Sequence, residues 1–229
     1  HTHWDHIQGL PMFQPSFLPT HRINIYGARD LVSGLGIRER LAKQMDRHFF
    51  PIQLDSLASD INFYDLEEGS KTTIGSLTIS SFQFNHPIVN FGYRVESSQH
   101  SLVFTGDHEW MFNSRQPSDD KWEETQKKVD RRTSETLDFI KNTDVLIIDT
   151  AYTSEEYETK RGWGHGTFDS SIQSGREADV KNVYLTHHEP TRTDEMLEKA
   201  FLDALKQNHI SDDDPDFFLA REGQQVDIK

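Results

Sequence analysis

Cysteine is absent from all 229 residues, which excludes disulfides and thiolate ligands and leaves the redox compartment open. Basic residues are scarce beside acidic ones: 24 Lys and Arg face 38 Asp and Glu, a formal charge of -14. Such a surface repels polynucleotide backbones and anionic membranes at long range. No apolar run approaches the roughly 18 residues of a membrane span, and there is neither an internal repeat nor a low-complexity tract. The expectation is one large domain over residues 1–229, cytoplasmic, with a substantial buried core.

Histidine, by contrast, is concentrated. The chain opens on His1-Thr2-His3-Trp4-Asp5-His6, whose imidazoles and carboxylate cannot all share one helical face. A strand end running into a loop can turn them inward. Neutral imidazole nitrogen with carboxylate oxygen suits zinc first and manganese or iron next, whereas magnesium and calcium want nearly all-oxygen shells.

Apolar patterning places the remaining histidines. Ile23 to Tyr26 reads as a short strand ending at Gly27, and a helix is expected from Ala28 to about Arg47 through Leu31, Leu35, Leu41 and Met45. Ile61 to Leu66, Leu77 to Phe84, Phe91 to Glu96 and Ser101 to Thr105 read as strands, the last two joined in a hairpin at 97–100. Further on, Asp144 to Asp149 and Val183 to Thr186 are short apolar runs between helical stretches, as in a layered α/β domain. Thr193 can cap a helix whose stripe is Met196, Leu197, Ala200, Phe201, Ala204 and Leu205. Residues 113–132 form the most polar segment, expected as an insertion that is either a solvated helix or loop, or a cover over the site.

Further ligand-type residues fall where strands end. His86 follows the strand that runs to Phe84, Asp107 follows Ser101 to Gly106, and His187 and His188 follow Val183 to Thr186. Strand, abrupt turn, then His or Asp is how a sheet edge presents side chains to a shared pocket. The remaining His21, His48, His100 and His209 read as surface or loop residues, while His108, next to Asp107, is left open.

The order H-T-H-W-D-H, N-H-P, T-G-D and L-T-H, from residue 1 to about 195, resembles the metallo-β-lactamase superfamily, and within it the phosphodiesterase branch of ribonuclease Z and class II cyclic-nucleotide phosphodiesterases. The resemblance implies a four-layer αββα sandwich, a mixed α/β fold, with a dinuclear centre at one edge of its sheets. The strands such a fold carries before its first histidine are missing ahead of His1, so the sequence is expected to be the later part of a longer domain. By the same resemblance His1, His3 and His86 would hold one metal ion, Asp5, His6 and His187 the other, and Asp107 would bridge them. Gly162-Trp163-Gly164-His165-Gly166-Thr167 is similar to the G-H-S-T stretch of that branch, with Gly166 where serine is usual. His165 would then give a proton to the leaving oxygen, oriented by Asp149, and Asp5 would collect the proton of the attacking water.

These residues lead to a hydrolase with two divalent cations, zinc before manganese or iron, acting on a small phosphate ester such as a cyclic nucleotide. Long nucleic acid is disfavoured by the charge, no membrane partner is expected, and a homodimer fits. Hydrolysis of a carboxylic ester, lactone or thioester on the same fold is the alternative, and a metal-stabilised binding module without turnover is the second. Trp4, Phe91, Trp110 and Trp163 are candidates for stacking a base.

Overall fold

The computed structural model describes residues 1–228. The chain divides into two compact units, residues 1–70 and 71–229. In the first, α1 (Trp4–Ile7) is followed by β1 (Arg22–Ala28), α2 (Ile37–Gln44) and β2 (Asp60–Leu66). β1 pairs with β2 in parallel, Ile23 opposite Ile61 and Ile25 opposite Phe63. Parallel neighbours need a crossover, and α2 supplies it: its buried Ile37 and Leu41, together with Met45 and Leu54, pack with Ile25 and Phe63 into this unit's core.

The expected helix over 28–47 starts only at Ile37. Asp30 is the reason, because its carboxylate accepts the amides of Val32 and Ser33 and holds a turn where helical hydrogen bonds would form. Leu31 and Val32 are accordingly exposed. The opening hexad also differs from expectation: Trp4 to Ile7 is one helical turn, entered from His3 in extended conformation, so Asp5 and His6 sit on a helix and not in a loop.

The second unit is built on seven strands in sequential order: β3 (Lys71–Ile74), β4 (Leu77–Phe84), β5 (Asn90–Glu96), β6 (Ser101–Phe104), β7 (Val145–Asp149), β8 (Asn182–Thr186) and β9 (Asp216–Leu219). From β3 to β6 each strand is antiparallel to its neighbour, and from β6 to β9 each is parallel to it. β4 therefore runs in the same direction as β6, β7 and β8, and the C-terminal ends of all four reach one edge. β3 and β9, four residues each, escaped the sequence reading.

Register puts Val103, Leu146 and Val183 side by side, and all three are completely buried. α3 (Trp122–Ile140) covers that face through Leu137, Phe139 and Ile140. α5 (Phe168–Glu177) and α6 (Asp194–Gln207) continue the cover over Leu185 and Leu219, with Phe168, Ile172, Leu197, Phe201 and Ala204. Met196, expected on the α6 stripe, is more than half exposed. α4 (Ser154–Lys160) is fastened at its start by a capping box between Thr153 and Glu156. The result is a mixed α/β protein with sheets flanked by helices, and the C-terminal half of the polar 113–132 segment is the first part of α3. Among the described residues no helix is long and apolar enough to cross a membrane.

Leu146 lies at the centre of this packing with no exposed surface. Leu146→Ala is expected to destabilise the protein by about 2–5 kcal/mol, since it removes buried methyls and leaves a cavity the flanking strands cannot close. Urea unfolding monitored by circular dichroism measures it; a change below about 1 kcal/mol would show that the neighbours collapse into the gap.

Candidate metal centre

The edge formed by β4, β6, β7 and β8 carries four of the expected residues, each one to three positions beyond or at a strand end: His86, Asp107, Asp149 and His187. Asp107 is delivered by a turn at Gly106, whose φ is +61°. A side chain there would strike the Asn90 amide oxygen, and that amide is what shapes the turn: Asn90 Nδ2 donates to the carbonyls of Thr105 (3.1 Å) and Asp107 (2.6 Å). His187 holds φ +57°, an uncommon value for a residue with a Cβ and a strained one.

The Asp107 carboxylate is buried and spreads its two oxygens: Oδ1 lies 3.4 Å from His187 Nε2 and Oδ2 3.7 Å from His86 Nε2. Those separations are long for hydrogen bonds but match what two ligands about 2.1 Å from one tetrahedral cation leave between them. His86 Nδ1 donates to the Gly164 carbonyl at 2.9 Å, so in the neutral imidazole Nε2 is the unprotonated nitrogen, free to ligate a metal. Asp107, Asp149, His165 and His187 also offer ligand atoms all within 4.8 Å of one another. In the first unit, the His1 ring lies 4.7 Å from that of His3 and 4.3 Å from that of His6, and His6 Nε2 lies 3.2 Å from Asp5 Oδ2. The donors are nitrogen and carboxylate oxygen throughout, as zinc, manganese or iron require.

His165 is reached through Gly162 and Gly164, both at positive φ. Its Nδ1 donates to Asp149 Oδ2 at 2.8 Å, and its ring stacks on His187 with centroids 4.6 Å apart. Burial by itself would strip His165 of its proton, but the hydrogen bond to Asp149 and the charges of Asp149, Asp107 and Glu109 outweigh it and raise the pKa above the ordinary value. Burial also raises the Asp149 carboxyl, opposed by its bond to His165. The two shifts pull one proton toward opposite ends of the same contact. We assign it to the imidazole, because Asp149 Oδ2 accepts the His108 amide as well, at 2.9 Å, and two donors favour the anion. Gly166 fits its place through size: a Cβ there would lie 2.6 Å from the Asp149 carbonyl oxygen.

Two residues of this edge carried no signal in the sequence. Asn90 reads as an ordinary strand residue, and Glu109 as one acid among many. Glu109 is buried, a rare state for glutamate. His188 is half-buried, both ring nitrogens lack a hydrogen-bond partner, and burial lowers its pKa. His21, His48 and His209 are exposed, and His100 is half-buried with Nδ1 3.9 Å from Asp144. Of the aromatic candidates, Phe91 is core, Trp110 packs against His108 with rings 5.0 Å apart, and Trp4 and Trp163 are exposed.

His108 is fully buried against Phe84 and Trp110, with neither ring nitrogen hydrogen-bonded. Burial depresses its pKa from 6.5 to about 3. Between those values the unfolded chain holds the extra proton, so stability rises with pH there; the contribution is complete above about 6.5 and is lost as the pH falls toward 3. His108→Phe should therefore flatten the acid limb by about 1.4 kcal/mol per pH unit below pH 6. Urea melts in a chelator at several acidic pH values test this, and parallel limbs for variant and parent would refute it.

Residues 1–188 match the β-lactamase superfamily domain, and the chain belongs to that superfamily. Ribonuclease Z of Enterococcus faecalis is 23% identical over 222 residues, covering 82% of this chain and 66% of that protein, so the chain spans just under two thirds of its length. The fold is shared with the metallo-β-lactamase fold protein YhfI of Bacillus subtilis (TM-score 0.65, 17% identity, 98% of this chain and 73% of that one). It is shared also with the short form of human tRNase Z (TM-score 0.61, 17% identity, 100% of this chain and 77% of that one). Divalent metal binding goes with this fold.

Proposed function

We propose that this chain is a dinuclear metal-dependent hydrolase of a small phosphodiester, with cyclic nucleotides as the leading substrate class. The observation that carries the reading is the His165–Asp149 pair beside Asp107 and His187 at one sheet edge. A proton donor set next to candidate metal ligands answers the particular difficulty of a phosphodiester, an alkoxide that leaves poorly. His1, His3 and His86 would hold one cation and Asp5, His6 and His187 the second, with Asp107 as the ligand common to both; zinc is the first choice, manganese or iron the next.

When bound, two such cations supply a water acidified to near-neutral pKa and charge relief on the phosphoryl oxygens. Asp5 would orient the attacking water and take up its proton. Asp149 holds His165 through Nδ1, which leaves Nε2 to present a proton to the departing oxygen. The neighbouring carboxylates raise the pKa of the imidazole and so favour its protonated form. Ribonuclease Z, as a relative, makes RNA the competing substrate, but a net charge of -14 opposes a long polyanion and is no obstacle to a small ester drawn to the cations.

The test is a panel of cyclic nucleotides, dinucleotides, nitrophenyl diesters, lactones and thioesters, assayed after zinc, manganese or iron is restored to stripped protein. Metal-dependent cleavage of the phosphodiesters alone is expected. Turnover of lactones or thioesters with inert diesters would transfer the reading to carbonyl hydrolysis.

A further inference from the structure

We propose that Glu109 is a positioning residue that clamps the 162–164 loop, and thereby sets both the imidazole of His86 and the approach of His165. This rests on the phosphodiesterase reading only for its kinetic readout. The Glu109 side chain is buried and receives three donors: the Tyr157 hydroxyl (2.6 Å) and the Gly162 amide (2.7 Å) on Oε1, and the Gly164 amide (2.8 Å) on Oε2. Two backbone amides two residues apart can converge on one carboxylate because Gly162 and Gly164 both take positive φ, +89° and +95°. At Gly164 no other residue fits, since a Cβ would collide with the His86 ring and Pro87.

The clamp closes a circuit. The Glu109 backbone amide donates to the Asn85 carbonyl (3.0 Å), and Asn85 Nδ2 donates to the Glu109 carbonyl (2.9 Å). Asn85 precedes His86, whose Nδ1 donates to the Gly164 carbonyl. The carboxylate therefore holds Gly164 by its amide while His86 is held by the same residue's carbonyl, and the next residue along is His165. A carboxylate is the group this needs, being acceptor-only with room for all three donors. Glutamine would turn an NH2 toward an N–H or O–H, and aspartate is too short to span both glycine amides.

Glu109→Gln and Glu109→Asp are the test variants, read first by long-range proton–nitrogen NMR of the histidine side chains in the full chain. The parent should show His86 as a single, slowly exchanging Nδ1–H tautomer, and both variants should lose it. On nitrophenyl and alkyl phosphodiesters with zinc present, both should lose about 10- to 100-fold in kcat with KM unchanged, and more on the alkyl esters. Tyr157→Phe, which removes one donor and leaves the loop amides alone, should keep the His86 signal and kcat. An unaltered His86 signal in Glu109→Gln overturns the proposal even if thermal stability falls, and so does an equal loss in Tyr157→Phe. Should the parent cleave no phosphodiester while its His86 signal still depends on Glu109, the clamp stands and the substrate reading fails.

Discussion

Asp107→Ala is expected to leave the protein with at most one weakly held cation per chain and turnover reduced about a thousandfold or more. The carboxylate is buried, and its two oxygens face His187 on one side and His86 on the other. Alanine leaves these imidazoles near one another with no anion between them, so two dications brought to that edge would repel at short range in a low-dielectric pocket. Mutating a residue that merely orients a ligand costs about 10- to 100-fold in such centres, and losing a shared ligand must cost more. Elemental analysis after exhaustive buffer exchange gives the metal content, and the nitrophenyl diester assay gives the rate. Two tightly bound ions per chain in the variant would remove Asp107 from the bridge.

His165→Ala is expected to separate chemistry from metal binding. Both cations stay, and kcat falls by about 10²- to 10⁴-fold, the larger figure for alkyl leaving groups that need a proton and the smaller for nitrophenolate, which leaves unaided. The reason is the geometry at Nδ1: Asp149 takes that hydrogen bond at 2.8 Å and, with the nearby carboxylates, raises the pKa of the ring against the effect of burial, so Nε2 is the nitrogen from which a proton would be given. Asp149→Asn should follow in the same direction, since an amide cannot anchor a charged ring. Equal losses across leaving groups, or a missing cation, would return His165 to the ligand set and end its role as donor.

Much of the edge was legible in the chain because strand ends announce themselves. Apolar runs such as Val183 to Leu185 can be counted by eye, and a turn followed by His or Asp states what the edge presents. Apolar patterning marks seven of the nine strands among the described residues, and the α6 cap at Thr193 was found as expected, its hydroxyl accepting from Met196. Where prediction slipped, a local hydrogen bond had won over periodicity: Asp30 took two amides and stopped a helix that leucine spacing alone supported. In the opening hexad one helical turn formed where a loop was expected.

The amino-acid order alone determined which side chains could bind metal, their association with strand termini, the absence of thiolates, and the net acidic charge. Each of these depends on residue type or on neighbours a few positions apart. What only the tertiary structure decided is which partners meet across long stretches of chain: Asp149 with His165 across 16 positions, Glu109 with Gly164 across 55, His86 with Gly164 across 78. Those pairings follow from sheet order and strand direction, which bring the ends of β4, β6, β7 and β8 to one edge. Hydrogen bonds are set by distance and angle in space, and no sequence period encodes either.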